Sequence, residues 1–246
     1  AGTRSQRPPG EPATIAPAPN GGAAPARSKP TRIDPIVSLP TPERPSVPTI
    51  TVGLRPHPST TPAAPADSAS PVGMLLATMY ALPEGGAVFE FKLDGSRLDA
   101  IRIPLEAEPG AADELWKHTC FEAFVGVQGE AGYREFNFSP SGQWAIYDFH
   151  APRERNMDFR ADAGLSIRFA RDGDTAWLEA RVPAAALPAV APGTDLDIGL
   201  AAVVERSDGE LEYWAVSHPA PQPDFHARNG FVLALATRAA APDGKR

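Results

Sequence analysis

Apolar and polar residues alternate along most of this chain with a period of two, the repeat of a strand that buries one face. In 88–93, for example, Phe89, Phe91 and Leu93 share one face and the residues between them share the other. Further segments with this alternation, each predicted to be a strand, are 49–54, 74–82, 99–103, 119–127, 132–138, 143–149, 164–171, 174–182, 195–206, 210–216 and 231–237. The dominant predicted element is therefore a short β-strand.

Turn residues separate these segments. Asp-Gly pairs at 172–173 and 208–209 stand between alternating runs, a pattern typical of hairpins. Only 111–118 and 183–190 look helical, for one or two turns each. Many short strands joined by close turns, without long helices between them, predict an all-β sandwich or barrel rather than a parallel α/β sheet.

The N-terminal part of the chain has a different composition. Seventeen of the 29 prolines lie in residues 1–71, whereas all aromatic residues follow that segment. Residues 1–48 hold too few apolar side chains to offset chain entropy, so we expect a disordered Pro/Ala-rich tail. We expect a ligand-binding β-sandwich domain over 49–237 and a flexible C-terminal tail over 238–246.

Charge divides along a similar boundary. Residues 1–71 carry a net charge of +3 and the rest carries −10, so we expect the folded part not to bind nucleic acid. Cys120 is the one cysteine, which excludes an intramolecular disulfide. No run approaches the roughly 18 apolar residues of a membrane helix, so no membrane span is predicted. The chain starts at Ala1, which leaves its compartment open, and the sequence does not indicate an oligomeric state.

Several catalytic and cofactor motifs are absent from the sequence. It has no Gly-rich phosphate loop ahead of a helix, no His-Glu-x-x-His pair and no Gly-x-Ser-x-Gly elbow. The five histidines are dispersed, and no two of them have the i, i+2 spacing that builds metal sites on strands. We therefore expect neither a metal nor a cofactor.

Polar side chains collect on one face of two neighbouring predicted strands. If Phe121 and Phe136 face the core, the opposite face carries Glu122, Tyr133, Glu135 and Asn137. Carboxylates, an amide and aromatic rings suit a sugar, which offers hydroxyls for hydrogen bonds and C–H faces for stacking. Two tryptophans near the strand ends are candidate walls for such a site: Trp116 and Trp144.

Each of these residues also has a structural interpretation. The two tryptophans are equally typical of plugs at the ends of a sandwich core. Glu122 and Glu135 are typical of solvated strand residues paired with Arg134 or Arg102, and such surface pairs contribute only about 0–1 kcal/mol. Cys120 is typical of a small buried apolar residue rather than a nucleophile.

Three blocks of the sequence resemble a known group of proteins. They are ELWKHTCFEAFV at 114–125, YREFNFSPSGQWAIYDF at 133–149 and YWAVSHPAPQPDFH at 213–226. In this order they resemble a bacterial group of DOMON-like domain proteins, which is related to family 9 carbohydrate-binding modules. The Arg55-Pro56-His57-Pro58 segment is similar to the N-terminal motif of that group, so the resemblance extends over 49–237.

The resemblance implies an immunoglobulin-like β-sandwich of about 9–11 antiparallel strands that binds a sugar or haem on one face. The sugar binders of the family use a tryptophan and an acidic residue near the strand that matches 115–125, which implies Trp116 and Glu122. Asn137 lies in the next matching strand. The second stacking tryptophan of the family has no secure equivalent here, and the candidates are Trp144 and Trp214.

Three functions follow as hypotheses. The preferred one is a non-enzymatic module that binds a small carbohydrate or oligosaccharide ligand without a cofactor. The second is a haem b redox or sensor domain, although neither Met79 nor Met157 has a spacing to a histidine that identifies an axial pair. The third is a glycoside hydrolase that uses Glu122 and Glu135 as its two carboxyl groups.

Overall fold

The computed structural model describes residues 47–60, 69–161, 163–191 and 193–236. Apart from residues 47 and 48, the predicted N-terminal tail lies outside these ranges, as does the predicted C-terminal tail at 238–246. None of the described helices is long and apolar enough to cross a membrane.

Twelve antiparallel strands make up the described part of the chain, which confirms the prediction of an all-β sandwich. They are β1 (Thr49–Pro56), β2 (Met74–Ala81), β3 (Ala87–Asp94), β4 (Cys120–Val127), β5 (Tyr133–Phe138), β6 (Trp144–Ala151), β7 (Glu154–Arg155), β8 (Ser166–Asp172), β9 (Thr175–Val182), β10 (Asp195–Glu205), β11 (Leu211–Ala215) and β12 (Leu233–Ala236). Single 3-10 turns occur at Leu98–Ala100, Leu115–Lys117, Ala184–Ala186 and Arg228–Gly230.

The predicted and observed elements differ at a few places. Segment 99–103 is not a strand, because only Ile101 pairs with a neighbouring backbone, in a single bridge to Arg206. The two segments predicted to be helical each form one 3-10 turn. The two-residue β7 was not predicted, since two residues cannot display an alternation.

The strands form two layers that share β1. The back sheet has the order β1-β2-β3-β9-β8, and the front sheet has the order β7-β6-β5-β4-β10-β11-β1, with β12 also paired to β10. Residues 49–54 of β1 pair with β2, whereas Arg55 and Pro56 pair with β11. The first strand therefore passes from one layer to the other.

The main core lies between these two sheets. Phe91 on β3 contacts Phe121 on β4, with ring centroids 4.9 Å apart. Phe89 stacks on Phe138 of β5, with centroids 5.8 Å apart. Buried side chains of both sheets complete this cluster and leave β4 and β5 with their polar residues on the opposite face.

That opposite face of the front sheet carries a second apolar cluster. Phe124, Tyr133 and Phe149 belong to this cluster, and all three side chains are buried. Residues 216–232, which we call the covering segment, pass over this face and bring Phe225 and Phe231 within 6.3 Å and 5.6 Å of the Phe124 ring. The front sheet is therefore apolar on both faces at this end.

Candidate functional site

A cavity of about 720 Å³ opens on the outer face of the front sheet, beside the covering segment. Strands β4, β5, β6, β10 and β11 supply its floor, and three loops supply its walls. Its lining residues are Asp113, Glu114, Trp116, Glu122, Glu135, Tyr147, Phe149, Arg153, Arg155, Val203, Tyr213, Gln222, Pro223, Phe225 and His226. This size is within the range of small-molecule sites, about 300–1,000 Å³.

Two glutamates form the floor of the cavity. In the strand register Glu122 pairs with Asn137, and Phe124 pairs with Glu135, so the two glutamates are diagonal neighbours on one face. Glu122 is 3% exposed and Glu135 is 5% exposed. These carboxyl groups are therefore buried, unlike the solvated residues that strand alternation alone would suggest.

Glu135 belongs to a chain of hydrogen bonds. Asn137 donates from Nδ2 to Glu135 Oε1 at 2.6 Å. On the other side, His226 Nε2 lies 3.7 Å from Glu135 Oε2, while His226 Nδ1 lies 2.7 Å from the Tyr133 hydroxyl. The Arg153 amide donates to that hydroxyl at 3.2 Å, which leaves the hydroxyl proton free to bond His226 Nδ1. Glu135 and His226 are thereby held in fixed orientations.

Glu122 is different, because no hydrogen bond to its carboxyl group occurs in the described part of the chain. Its backbone neighbours on the same face are Asn137, which bonds Glu135, and the small Ala201. Its carboxyl oxygens are not among the fully enclosed unpartnered atoms of the described residues, so they are open to the cavity. Glu122 lines the cavity and is positioned to bond whatever enters it.

Burial shifts the pKa values of the groups around the floor. It raises the pKa of Glu122 well above its usual range, and the nearby charge of Glu135 raises it further. Burial also raises the pKa of Glu135 to about 7, although the Asn137 hydrogen bond and two arginines, Arg155 and Arg153, oppose this shift. The same cause lowers the pKa of His226 to about 4, so its imidazole is neutral near pH 7. Its contact with Glu135 is then not an ion pair.

Aromatic and charged side chains form the wall near β6. The Tyr147 hydroxyl donates a very short hydrogen bond to Asp113 Oδ1. The Arg155 guanidinium lies over the Tyr147 ring, 4.2 Å from its centroid, which is a cation–π geometry. Trp116 stands at the rim and is 46% exposed, with Lys117 Nζ over its ring, 5.7 Å from the centroid.

Two wall residues have unusual backbone conformations. Glu114 and Arg153 have φ values of 59° and 63°, and they are the two non-glycine residues with positive φ in the described ranges. Such conformations cost about 1–3 kcal/mol each and cluster at functional sites. Both residues line the cavity, which supports its interpretation as the functional site.

Arg228 fastens the covering segment to the sheet. Its Nη2 donates to Val127 O, Glu130 O and Asp197 Oδ2, each at 3.1 Å. The guanidinium passes directly over Gly126, where an added Cβ would lie 2.7 Å from Cζ and Nη1. A glycine at this position of β4 is therefore required for the attachment.

We predict that Gly126→Ala displaces Arg228 and lowers the free energy of unfolding by about 1–3 kcal/mol, the usual cost of overpacking. The freed segment carries Phe225 and His226, so affinity for a cavity ligand should fall as well. Chemical denaturation and calorimetry measure the two effects. Gly53→Ala is the matched control, because an added Cβ there meets nothing within 4 Å. Equal behaviour of the two variants would contradict this role of Gly126.

The predicted site residues occupy three kinds of position. Trp116, Glu122 and Glu135 line the cavity. Asn137 and Tyr133 lie behind the lining, where they bond Glu135 and His226. The structure thus brings these five residues together, and their roles in binding stay predictions.

Trp144 and Trp214 lie elsewhere and require a correction. The strand register pairs Trp144 with Phe138 and Trp214 with Ala202, and both of those partners face the main core. Paired residues share a face of the sheet, so both indoles point away from the cavity. We leave both tryptophans out of the proposed site.

Sequence reasoning missed most of the cavity walls. Tyr147 and Tyr213 were detectable in principle, since strand alternation places each of them opposite a core-facing neighbour, Ile146 and Trp214. Most of the remaining wall residues belong to loops, or to the covering segment, whose positions no local pattern predicts. They include Asp113, Arg153, Gln222, Phe225 and His226.

Comparisons with known proteins show distant similarity only. No family model matches the chain, and no curated protein matches its sequence. Among solved structures, it is similar to a Bacteroides uniformis ATCC 8492 protein provisionally described as carbohydrate-binding, with a TM-score of 0.48 and 15% identity over 66% of this chain and 78% of that chain.

The chain is also similar to a family 9 carbohydrate-binding module from Caldicellulosiruptor kristjanssonii, solved with cellotriose and with glucose. Both structures give a TM-score of 0.40 and 9% identity over 70% of this chain, covering 79% and 81% of theirs. Because these scores are low, the ligand of the cavity has to be inferred from its own residues.

Proposed function

We propose that this protein is a non-catalytic module that binds a carbohydrate in the cavity of the front sheet. The observation that carries the proposal is Glu122, a buried carboxyl group that lines the cavity and lacks a hydrogen-bond partner in the described part of the chain. A ligand that bonds Glu122 recovers the free energy lost by burying it.

The other lining residues favour a sugar as that ligand. Pyranose rings present C–H faces, which stack on aromatic side chains such as Trp116 and Tyr213. Their hydroxyl groups both donate and accept, so they suit a lining of carboxyl groups with Gln222 and Arg155 beside them. The mixture of flat apolar walls and convergent polar groups supports a carbohydrate over a purely apolar molecule.

Binding, rather than glycoside hydrolysis, is the activity we propose. A hydrolase needs two carboxyl groups whose environments push their pKa values apart, so that one is an acid and the other is ionised. Here burial raises the pKa of both Glu122 and Glu135, and no hydrogen bond in the described residues orients Glu122. The arrangement supplies hydrogen bonds to a ligand, and neither environment lowers the pKa of a carboxyl group so as to keep it ionised as a nucleophile.

We further propose that the cavity takes no haem. Met79 is buried in the main core, and Met157 is 69% exposed and does not line the cavity. The one histidine of the lining, His226, already bonds Tyr133. The finer relationship, to DOMON-like proteins, remains a prediction from the three sequence blocks.

We predict that the full chain binds saccharides on a glycan array and that the hits raise its melting temperature, since a ligand that binds only the folded state stabilises it. Protein produced with abundant haem should purify without a Soret band. An array without any saccharide hit would contradict the proposed function. A stoichiometric Soret band lost on His226→Ala would replace it with the haem alternative.

A further inference from the structure

The two buried carboxyl groups of the cavity have unequal surroundings. Glu135 accepts a hydrogen bond from Asn137, and Arg153 and Arg155 are close enough to stabilise its negative charge. Glu122 has neither kind of support among the described residues, and the charged group that acts on it is Glu135, which has the same sign. The floor of the cavity thus holds a buried acid without a donor and without a counter-ion.

Aromatic rings stand next to Glu122. Burial raises the pKa of the Tyr213 phenol on β11, and the charge of the nearby Glu122 raises it further. The Tyr213 ring meets Phe225 of the covering segment edge to face, with centroids 5.9 Å apart. Both rings line the cavity together with Phe149. Aromatic walls beside a carboxylate form an environment that favours a cation.

The charged residues that line the cavity also favour a cation. Four acidic residues, Asp113, Glu114, Glu122 and Glu135, line the cavity against two arginines, and Glu114 is paired with Lys117 at 2.6 Å. Of those arginines, Arg153 is already paired with Asp224 at 2.8 Å, and Arg155 lies over Tyr147 on the β6 side. Residues 72–246 carry a net charge of −10, so the surrounding field also attracts positive ligands.

We propose that the carbohydrate bound here is an amino sugar, whose ammonium group donates to Glu122 between the rings of Tyr213 and Phe225. This inference rests on the proposed function and names the chemical class of its ligand. An ammonium group brings three donors and the missing positive charge to one buried acid. A hydroxyl group brings one donor and no charge, so it cannot stabilise the ionised form of Glu122 in the way a cation can.

Binding of the ammonium group has a consequence for protons. Burial raises the pKa of Glu122 and of Glu135, so each holds its proton to a higher pH than an exposed glutamate does. The bound cation stabilises the ionised form of Glu122. The proton that Glu122 loses is released to the buffer. The other titratable groups around this acid are Cys120 and Tyr213, which stay protonated at neutral pH, and His226, which stays neutral.

The test compares three monosaccharides on the full chain by calorimetry near pH 7: glucosamine, N-acetylglucosamine and glucose. They share a ring and differ at one substituent, so the comparison isolates the charge. A charge-assisted hydrogen bond contributes about 1.5–3 kcal/mol, so glucosamine should bind about 10- to 150-fold more tightly than the other two. Titrations in two buffers of different ionisation enthalpy should show proton release with glucosamine alone.

Two variants assign the effect to Glu122. Glu122→Gln keeps the shape of the side chain and should remove the preference for glucosamine together with the proton release. Glu210→Gln removes the same charge at an exposed turn and should change neither. Melting curves of both variants verify that they fold. A preference for glucosamine that survives Glu122→Gln would overturn the assignment.

The remaining outcomes separate this inference from the proposed function. If glucose or N-acetylglucosamine binds as tightly as glucosamine, the amino-sugar inference is overturned and carbohydrate binding stays intact. A simple alkylamine bound more tightly than any saccharide would contradict carbohydrate binding and uphold the positive charge of the ligand. Absence of binding by all saccharides and amines would overturn both.

Discussion

Trp214→Ala is expected to lower the free energy of unfolding by about 3–5 kcal/mol, the usual cost of removing a large aromatic side chain from a core. Trp214 is 4% exposed and packs in the main cluster between the sheets. Its indole also donates from Nε1 to Glu212 Oε2 at 3.2 Å, so the substitution removes a hydrogen bond from a buried carboxylate. Chemical denaturation of the purified variant measures this loss.

Trp116→Ala is the matched comparison on the cavity side. We expect it to change stability little and to weaken ligand binding. Its indole is 46% exposed at the rim, and surface substitutions usually change stability by no more than about 0.5 kcal/mol. Loss of a stacking surface worth about 1.5–3 kcal/mol should weaken saccharide binding roughly 10- to 150-fold. A collapsed melting temperature with unchanged affinity would show that Trp116 is a core plug and would remove it from the proposed site.

The second large effect concerns pH. Glu135→Gln should gain stability relative to the parent protein as pH rises from about 4.5 to about 7. In the parent protein the folded-state pKa of Glu135 is raised to about 7 from 4.5, so its contribution is fully present below pH 4.5 and is lost as pH rises through 7. This shift corresponds to about 3 kcal/mol, since one pKa unit is about 1.4 kcal/mol, and the glutamine variant lacks this loss.

His226→Gln should show the opposite trend. The pKa of His226 falls from 6.5 to about 4 in the folded protein, so its contribution is present above pH 6.5 and is lost as pH falls towards 4. The variant lacks that contribution, so its stability relative to the parent should decrease as pH rises from about 4 to 6.5. The two groups lie 3.7 Å apart and oppose each other over most of the same pH range.

Urea denaturation of the parent and both variants between pH 4 and pH 8 measures these differences. Comparison with the parent cancels the contributions of groups that the substitutions leave unchanged. Parallel stability curves for all three proteins would mean that neither side chain is buried in the way the cavity geometry requires.

Several features of this protein follow from the sequence by itself. Alternation of side chains between the two faces of a strand is a local property. The positions of Phe121, Glu122 and Phe136 along their strands therefore already separate the core face from the polar face. The all-β sandwich, the strand β1 that opens it and the meeting of Glu122 with Glu135 were predictable for this reason. The meeting of the two glutamates depends only on β4 and β5, which a short turn joins.

Other features were decided by the tertiary structure. Strand alternation alone presents Glu122 and Glu135 as solvated residues, because nothing local shows that residues 216–232 lie over this face of the sheet and form one wall of a cavity around them. Arg228 holds that segment in place by bonding Val127 and Asp197, which are about 100 and 30 residues away in sequence.

The tryptophans show the same limit. A Trp fits either a core or a sugar site by composition, and only the pairing of Trp144 with Phe138 and of Trp214 with Ala202 places both indoles in the core. The strained loop residues Glu114 and Arg153 had no signal at all, since a non-glycine residue with positive φ is tolerated only where the surrounding fold imposes it. The sequence by itself determined which residues share a face, and long-range packing decided which of them are buried, partnered or left open to a ligand.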